Sequence, residues 1–241
     1  MGFTGYDLLL SLFTLTFLEI ILGIDNLIFI AIAVQKLDKK YRKTARIFGL
    51  SLALIIRILM LLTLSWVMTL TDPMFFLNGE GFSFKDFLLI IGGLFLIIKS
   101  GWEVGNDVIF GLNAPNHDNK SSASIKKNFL AAVLQITAID FVFSFDSVIT
   151  AIGMTNNVPI IVAAIIISMI LMLFASEHIS HFLQTYPSLK IVALAFIFMV
   201  GAILLADGFH IHISKGYLYF ALFFTLAVES LNIVARRKHS A

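Results

Sequence analysis

Cysteine is absent from this 241-residue chain. Disulfides, zinc–thiolate centres and iron–sulfur clusters are therefore excluded at once. Charge is scarce as well: Asp, Glu, Lys and Arg make up 13% of the residues, against roughly 25% in an ordinary soluble domain. A soluble fold of this length would need far more polar surface. The first seven residues contain no Lys or Arg, and Glu19 and Asp25 interrupt the apolar stretch that follows. A cleaved signal peptide has the opposite pattern, so this segment reads as a permanent first span. Asp-Thr-Gly and Gly-x-Gly-Asp, the patterns of aspartic proteases, do not occur, and no enzyme is expected. What the chain has in quantity is apolar: 59% of the residues are hydrophobic, and 24 are Phe.

A helix needs about 20 mainly apolar residues to cross the hydrocarbon core. Seven stretches approach this: 8–34, 47–70, 87–102, 129–154, 158–175, 191–206 and 217–235. The third, fifth and sixth are short and are expected to borrow flanking residues or to sit where the bilayer is thin. Basic residues set the orientation. The first connection holds Lys36, Lys39, Lys40, Arg42, Lys43 and Arg46; the third holds Lys120, Lys126 and Lys127; the fifth holds Lys190; the tail holds Arg236, Arg237 and Lys238. These are 13 of the 17 Lys and Arg, while the opposite connections carry only Lys85 and Lys215. The N-terminus is therefore expected outside, the C-terminus in the cytoplasm, and the chain in the inner (plasma) membrane.

No soluble domain is apparent, and residues 1–241 read as a single transmembrane domain. A first repeat spans about 8–104, a polar cytoplasmic linker about 105–127, a second repeat about 128–207 and a last helix about 217–235. The repeat is visible where the charges lie. Leu18-Glu-Ile-Ile-Leu-Gly-Ile-Asp-Asn-Leu27 in the first span matches Ile139-Asp-Phe-Val-Phe-Ser-Phe-Asp-Ser-Val148 in the fourth. Glu19 falls on Asp140, Gly23 on Ser144, Asp25 on Asp146 and Asn26 on Ser147. The third and sixth spans share a weaker pattern, Gly93-Leu-Phe-Leu-Ile-Ile against Gly201-Ala-Ile-Leu-Leu-Ala, which by itself is near chance. Because each half has three spans, the second enters the membrane upside down. The fold class is thus all-α: seven transmembrane helices as two inverted three-helix repeats plus one C-terminal helix, an arrangement common in secondary transporters.

Glu19, Asp25, Arg57, Asp140, Asp146 and Glu229 all fall within expected spans. Each charge at the bilayer centre costs at least about 2.5–3.5 kcal/mol. The acids could pair with Arg57 and Lys99 or be held protonated, in a purely structural role. Alternatively they form a site. Glu19 and Asp25, six apart, cannot grip one ion on a straight helix, since they point about 240° apart. Gly23 and Ser144 lie between each acid pair, where a helix could kink or widen. If the first and fourth helices pack together, Asp25, Glu19, Asp140 and Asp146 form an acidic column, a path for a cation. The candidate ligands are oxygens, from Glu19, Asp25, Asn26, Gln135, Thr137, Asp140, Ser144, Asp146 and Ser147. Such a set suits Mn²⁺, Ca²⁺ or Mg²⁺. His178 and His181 read as interfacial in preference to metal ligands, and His210 and His212 are weaker candidates.

Three segments, 19–29, 140–151 and 227–232, strongly resemble the TerC family of integral membrane proteins, as do Gly216-Tyr-Leu-Tyr-Phe-Ala221 and Gly92-Gly-Leu-Phe-Leu-Ile97. The likeness is greatest to short bacterial members consisting of the membrane domain alone. It implies a seven-helix protein of the LysE-like transporter superfamily, whose bacterial members are linked to manganese export and to metal loading of exported proteins. By this likeness Asp25, Asn26, Asp140 and Asp146 would handle metal, with Glu19 and Glu229 as supporting acids; the oxygen set adds Ser147. The choice of Mn²⁺ rests on the resemblance. A Ca²⁺/proton exchanger and a metal-binding assembly factor without transport remain the alternatives. No prosthetic group is expected. The expected partners are the lipid bilayer and a divalent cation, with no nucleic acid; a homo-oligomer is left open.

Overall fold

The computed structural model describes residues 5–63, 71–77, 80–106, 122–155 and 157–239. It is built of helices: α1 (Gly5–Leu22), α2 (Ile24–Ala33), α3 (Lys39–Leu62), α4 (Phe84–Val104), α5 (Ser122–Met154), α6 (Val158–Thr185), α7 (Pro187–Gly208) and α8 (Lys215–His239). Five are long and apolar enough to cross a membrane, and the pair α1–α2, bent by 45° at Gly23, makes six. The helix α8 covers the seventh expected stretch, and the side chains of residues 233, 234 and 236–239 lie outside the described residues. The three short stretches do borrow from their flanks, growing to helices of 21, 28 and 22 residues. Pro187 ends the run between α6 and α7 by opening a new helix, where its missing N–H costs nothing.

Helix α3 starts at Lys39, eight residues before the expected span. The basic stretch of the first connection is therefore mostly the first two turns of a helix. Arg42 anchors it by donating to the carbonyls of Leu37 and Gln35 at 2.8 and 3.0 Å. Between α3 and α4 stands an antiparallel hairpin, β1 (Pro73–Leu77) with β2 (Glu80–Ser83), with Phe76 opposite Gly81 and the Phe75 and Phe82 rings stacked.

The chain divides into two compact units. The first comprises Met1–Lys85 and Asp118–Ser180, the second Asp86–His117 and His181–Ala241. The first unit contains α1, α2, α3, α5 and most of α6; the second contains nearly all of α4 with α7 and α8. Neither unit is a sequence half.

Close backbone approach organises each unit. In the first, α3 lies against α5. A Cβ on Gly49 would stand 2.9 Å from the Ile136 side chain, and Thr137 donates to the Gly49 carbonyl at 3.4 Å. The buried face of α3 carries Gly49, Leu50, Ala53, Arg57, Met60 and Leu61, spaced three and four apart as one helical stripe. Phe48, Ile55, Leu59 and Leu62 point outward, an apolar exterior suited to lipid. In the second unit, α4 and α7 meet at Gly93 and Gly201. A Cβ on Gly93 would fall 2.6 Å from the Gly201 carbonyl oxygen, and one on Gly201 2.8 Å from that of Gly93. The backbone is the obstacle on both sides, so the helices would have to separate. Gly93→Val should therefore lower stability by about 1–3 kcal/mol. Gly101→Ala, on the same helix with nothing within 4 Å, should not, and paired melting curves in detergent check both.

Candidate functional site

The Gly49–Ile136 contact sets the register of α3 on α5. Eight residues further along each helix, about 12 Å up, stand Arg57 and Ser144. Arg57 Nε donates to Ser144 Oγ at 2.9 Å. The rest of the guanidinium reaches two acids: Nη1 donates to Glu19 Oε2 at 2.6 Å and Nη2 to Asp140 Oδ1 at 3.2 Å. Arg57, Glu19 and Asp140 are only 2–3% exposed. Ser144 in turn donates to Asp140 Oδ2 at 2.9 Å, and Asn26 Nδ2 donates to Asp140 Oδ1 at 3.0 Å. Three helical segments thus converge on one guanidinium.

The break at Gly23 makes this convergence feasible. Glu19 and Asn26 are seven apart, on one face of a straight helix but about 10 Å from each other along it. With the chain bent by 45° between them, Glu19 reaches Arg57 while Asn26 reaches Asp140. The bend packs tightly, since a Cβ on Gly23 would stand 2.5 Å from Met172 Sδ. The equivalent position in the other repeat, Ser144, does not break its helix; α5 runs unbroken from Ser122 to Met154. There the serine hydroxyl serves the cluster instead.

Two carboxylates share one guanidinium, so the cluster keeps an excess of negative charge when both are ionised. Among the described residues it also keeps unused acceptors: Glu19 Oε1 and Asn26 Oδ1 are buried without a hydrogen-bond donor. The Ser147 hydroxyl interacts with Glu19 and makes a long bond, 3.3 Å, to the Ser144 carbonyl. Unserved oxygens in a buried, negatively biased cluster are what a cation would coordinate.

The expected site residues separate as follows. Glu19, Asn26, Asp140 and Ser147 come together around Arg57, with Ser144. Asp25 is buried on the first turn of α2, next to Asn26. The backbone of Asp146 lies in α5, and its side chain is outside the described residues. Glu229 belongs to the second unit, half-buried on α8, where Asn232 Nδ2 lies 3.4 Å from its Oε2. Of the two bases weighed as partners, Arg57 pairs with the acids, and Lys99 lies on α4 in the second unit. His178 and His181 are exposed on α6, and His178 Nδ1 contacts the Phe174 carbonyl one turn back at 3.0 Å. His210 stands 3.4 Å from Asp86 and His212 4.0 Å from Asp207. Among the described residues no group of three or more His, Asp or Glu is arranged to hold a metal ion; the first-unit cluster is instead closed by an arginine. Its signal in the sequence was that Arg57 is the only arginine inside an expected span.

Such a fold and cluster define an integral membrane protein with a charged, oxygen-rich interior. Comparison with known proteins makes the assignment specific. The family model described as "Integral membrane protein TerC family" matches residues 4–240, and the chain belongs to that family. It is 47% identical over 228 residues to a Haemophilus influenzae protein named UPF0053 protein, covering 95% of this chain and 94% of the relative. It is 41% identical over 230 residues to the Escherichia coli UPF0053 inner membrane protein YgdQ, with 95% and 94% covered. A longer E. coli protein, UPF0053 inner membrane protein YoaE, is 44% identical over 227 residues, which are 94% of this chain but 43% of YoaE. No solved structure matches the chain.

Proposed function

We propose that the protein exports a divalent metal cation, Mn²⁺ before Ca²⁺ or Mg²⁺, through an acidic path lined by Glu19, Asp25, Asn26, Asp140, Asp146 and Ser147, with Glu229 as an accessory acid. The observation that carries this is the meeting of Glu19 and Asp140, the repeat-equivalent acids, on one buried guanidinium, beside oxygens that have no donor. A purely structural ion pair needs one acid. The second acid and the spare acceptors are explained by an ion that visits.

The fold belongs to the same proposal: seven spans, as two inverted three-helix repeats and a final helix, in the inner membrane where the relative YgdQ is named. Contacts between equivalent residues support it. Glu19 and Asp140 share a partner, and Gly93 and Gly201, the equivalent glycines of the third and sixth spans, pack on each other. Within each unit, equivalent residues come together, as an inverted repeat would bring them. The compact units likewise pair the first two spans of one half with the first two of the other, and the third with the sixth. The orientation is N-terminus outside. A fluorescent reporter that matures only in the cytoplasm, fused after Ala241, should therefore give signal, whereas an active periplasm-dependent reporter there would overturn the topology.

Transport is tested with proteoliposomes containing only this protein, comparing Mn²⁺, Ca²⁺ and Mg²⁺ flux. Flux preferring Mn²⁺ is expected. Ca²⁺ flux that follows a proton gradient would replace the reading with an exchanger. No flux of any of the three would replace it with an assembly role.

A further inference from the structure

Arg57 has no place in an oxygen-ligand path, yet it sits at the centre of the cluster. Each of its three nitrogens donates to one partner, Nε to Ser144, Nη1 to Glu19 and Nη2 to Asp140. Both carboxylates it holds belong to the proposed path, and it contacts the oxygens that an ion would need, Glu19 Oε2 and Asp140 Oδ1. Among the described residues, Glu19 Oε1 and Asn26 Oδ1 are the acceptors of these two side chains left without a donor. Ca²⁺ or its like take up six or more oxygens, and Glu19 Oε2 and Asp140 Oδ1 are already held by the guanidinium.

We infer that Arg57 is a tethered competitor cation: its guanidinium fills the site when no ion is bound, and the transported ion must displace it from Glu19 and Asp140. This rests on the proposed function and adds to it a regulator and a basis for selectivity. Acids buried in a membrane interior require compensation at every stage of a transport cycle. Guanidinium and ion alternate in providing it, so the empty protein can rearrange without two bare carboxylates. The exchange also selects by charge. A monovalent ion offers no more charge than the guanidinium and none of its directed hydrogen bonds, so it cannot displace Arg57. A divalent ion brings twice the charge and gains Glu19 Oε1 and Asn26 Oδ1 as well. The fork geometry matters: a lysine at this position could not serve Ser144, Glu19 and Asp140 together.

The test is equilibrium Mn²⁺ binding to the purified full-length protein in detergent, by calorimetry, for wild type, Arg57→Lys and Arg57→Gln, normalised to folded protein. Removal of a competitor should tighten binding in that order, by about tenfold for Arg57→Gln, equivalent to about 1.4 kcal/mol. Excess Na⁺ should compete with Mn²⁺ in Arg57→Gln and not in wild type. In proteoliposomes the half-saturating Mn²⁺ concentration should fall together with maximal flux, because release loses its displacing group. A merely structural Arg57 predicts weaker binding in both variants and no new Na⁺ competition; that result overturns the inference and leaves the transport reading standing. Should Arg57→Gln fail to fold, Arg57→Lys decides alone, with tighter binding supporting the inference and equal or weaker binding overturning it. Wild-type protein that binds none of Mn²⁺, Ca²⁺ and Mg²⁺ overturns both.

Discussion

Asp140→Leu is expected to cost about 3–5 kcal/mol of stability, the range for breaking a buried ion pair by removing one partner. Asp140 accepts from Asn26, Arg57 and Ser144, and its loss strands three donors, one of them charged, away from water. Of its two acids the guanidinium would keep only Glu19. A variant that removes the charged set together, Glu19→Met with Arg57→Met and Asp140→Leu, should regain more than half of that loss. Buried charge networks replaced as a whole by apolar groups of similar volume are often neutral. The triple variant should nevertheless carry no Mn²⁺. Melting temperatures in detergent and flux in proteoliposomes read the two properties separately. An Asp140→Leu protein that melts with wild type would mean the cluster is not formed as described. A triple variant with intact flux would mean the ion passes elsewhere.

The membrane class and family were legible because both depend on features that survive without tertiary context. Apolar run length decides what can span, and an acid inside such a run is costly enough to stand out. The kink was legible at one of two places: Gly23 and Ser144 both sit between acids that cannot cooperate on a straight helix, and the chain bends at Gly23 but not at Ser144. Helix ends were less so. Lys39–Arg46 looked like a connection because charged residues do not belong in hydrocarbon, yet a helix can continue beyond it, and α3 does. The hairpin was missed although Asn78-Gly79 stands between two Phe-containing segments, a strong hairpin signal; residues 73–83 fell in the connection between two expected spans. The division into two units was not legible at all. It depends on which spans of one half pack with which of the other, information carried by contacts such as Gly49–Ile136 and Gly93–Gly201. Arg57 illustrates the remaining gap. Its burial and its acidic partners could be guessed, but its simultaneous hold on Glu19 of α1 and Asp140 of α5 requires the α3–α5 register.

The acids flanking the cluster provide the second large effect. Asp25 is buried within one turn of the Gly23 break, and Asp146 is its repeat equivalent, placed on α5 one and a half turns beyond Asp140. If the path is a column, an ion leaving Glu19 and Asp140 must be received on either side, and each flanking acid is indispensable. Asp25→Asn and Asp146→Asn keep size and one oxygen but remove the charge. A charge-assisted contact is worth about 1.5–3 kcal/mol, so Mn²⁺ flux should fall by about tenfold to a hundredfold in either variant, while folding survives because Ser144, Glu19 and Asp140 still hold Arg57. Asn26→Asp should act in the opposite sense. It adds negative charge beside Asp140, which Asn26 contacts at 3.0 Å, and so should tighten loading and slow release, since passage requires sites that let go as well as bind. A packing role for Asp25 and Asp146 forecasts lower expression or melting temperature with unchanged flux per folded molecule. Flux normalised to folded protein separates these outcomes, and normal values in both Asn variants would return the two aspartates to a structural role and remove the column as the route of the ion.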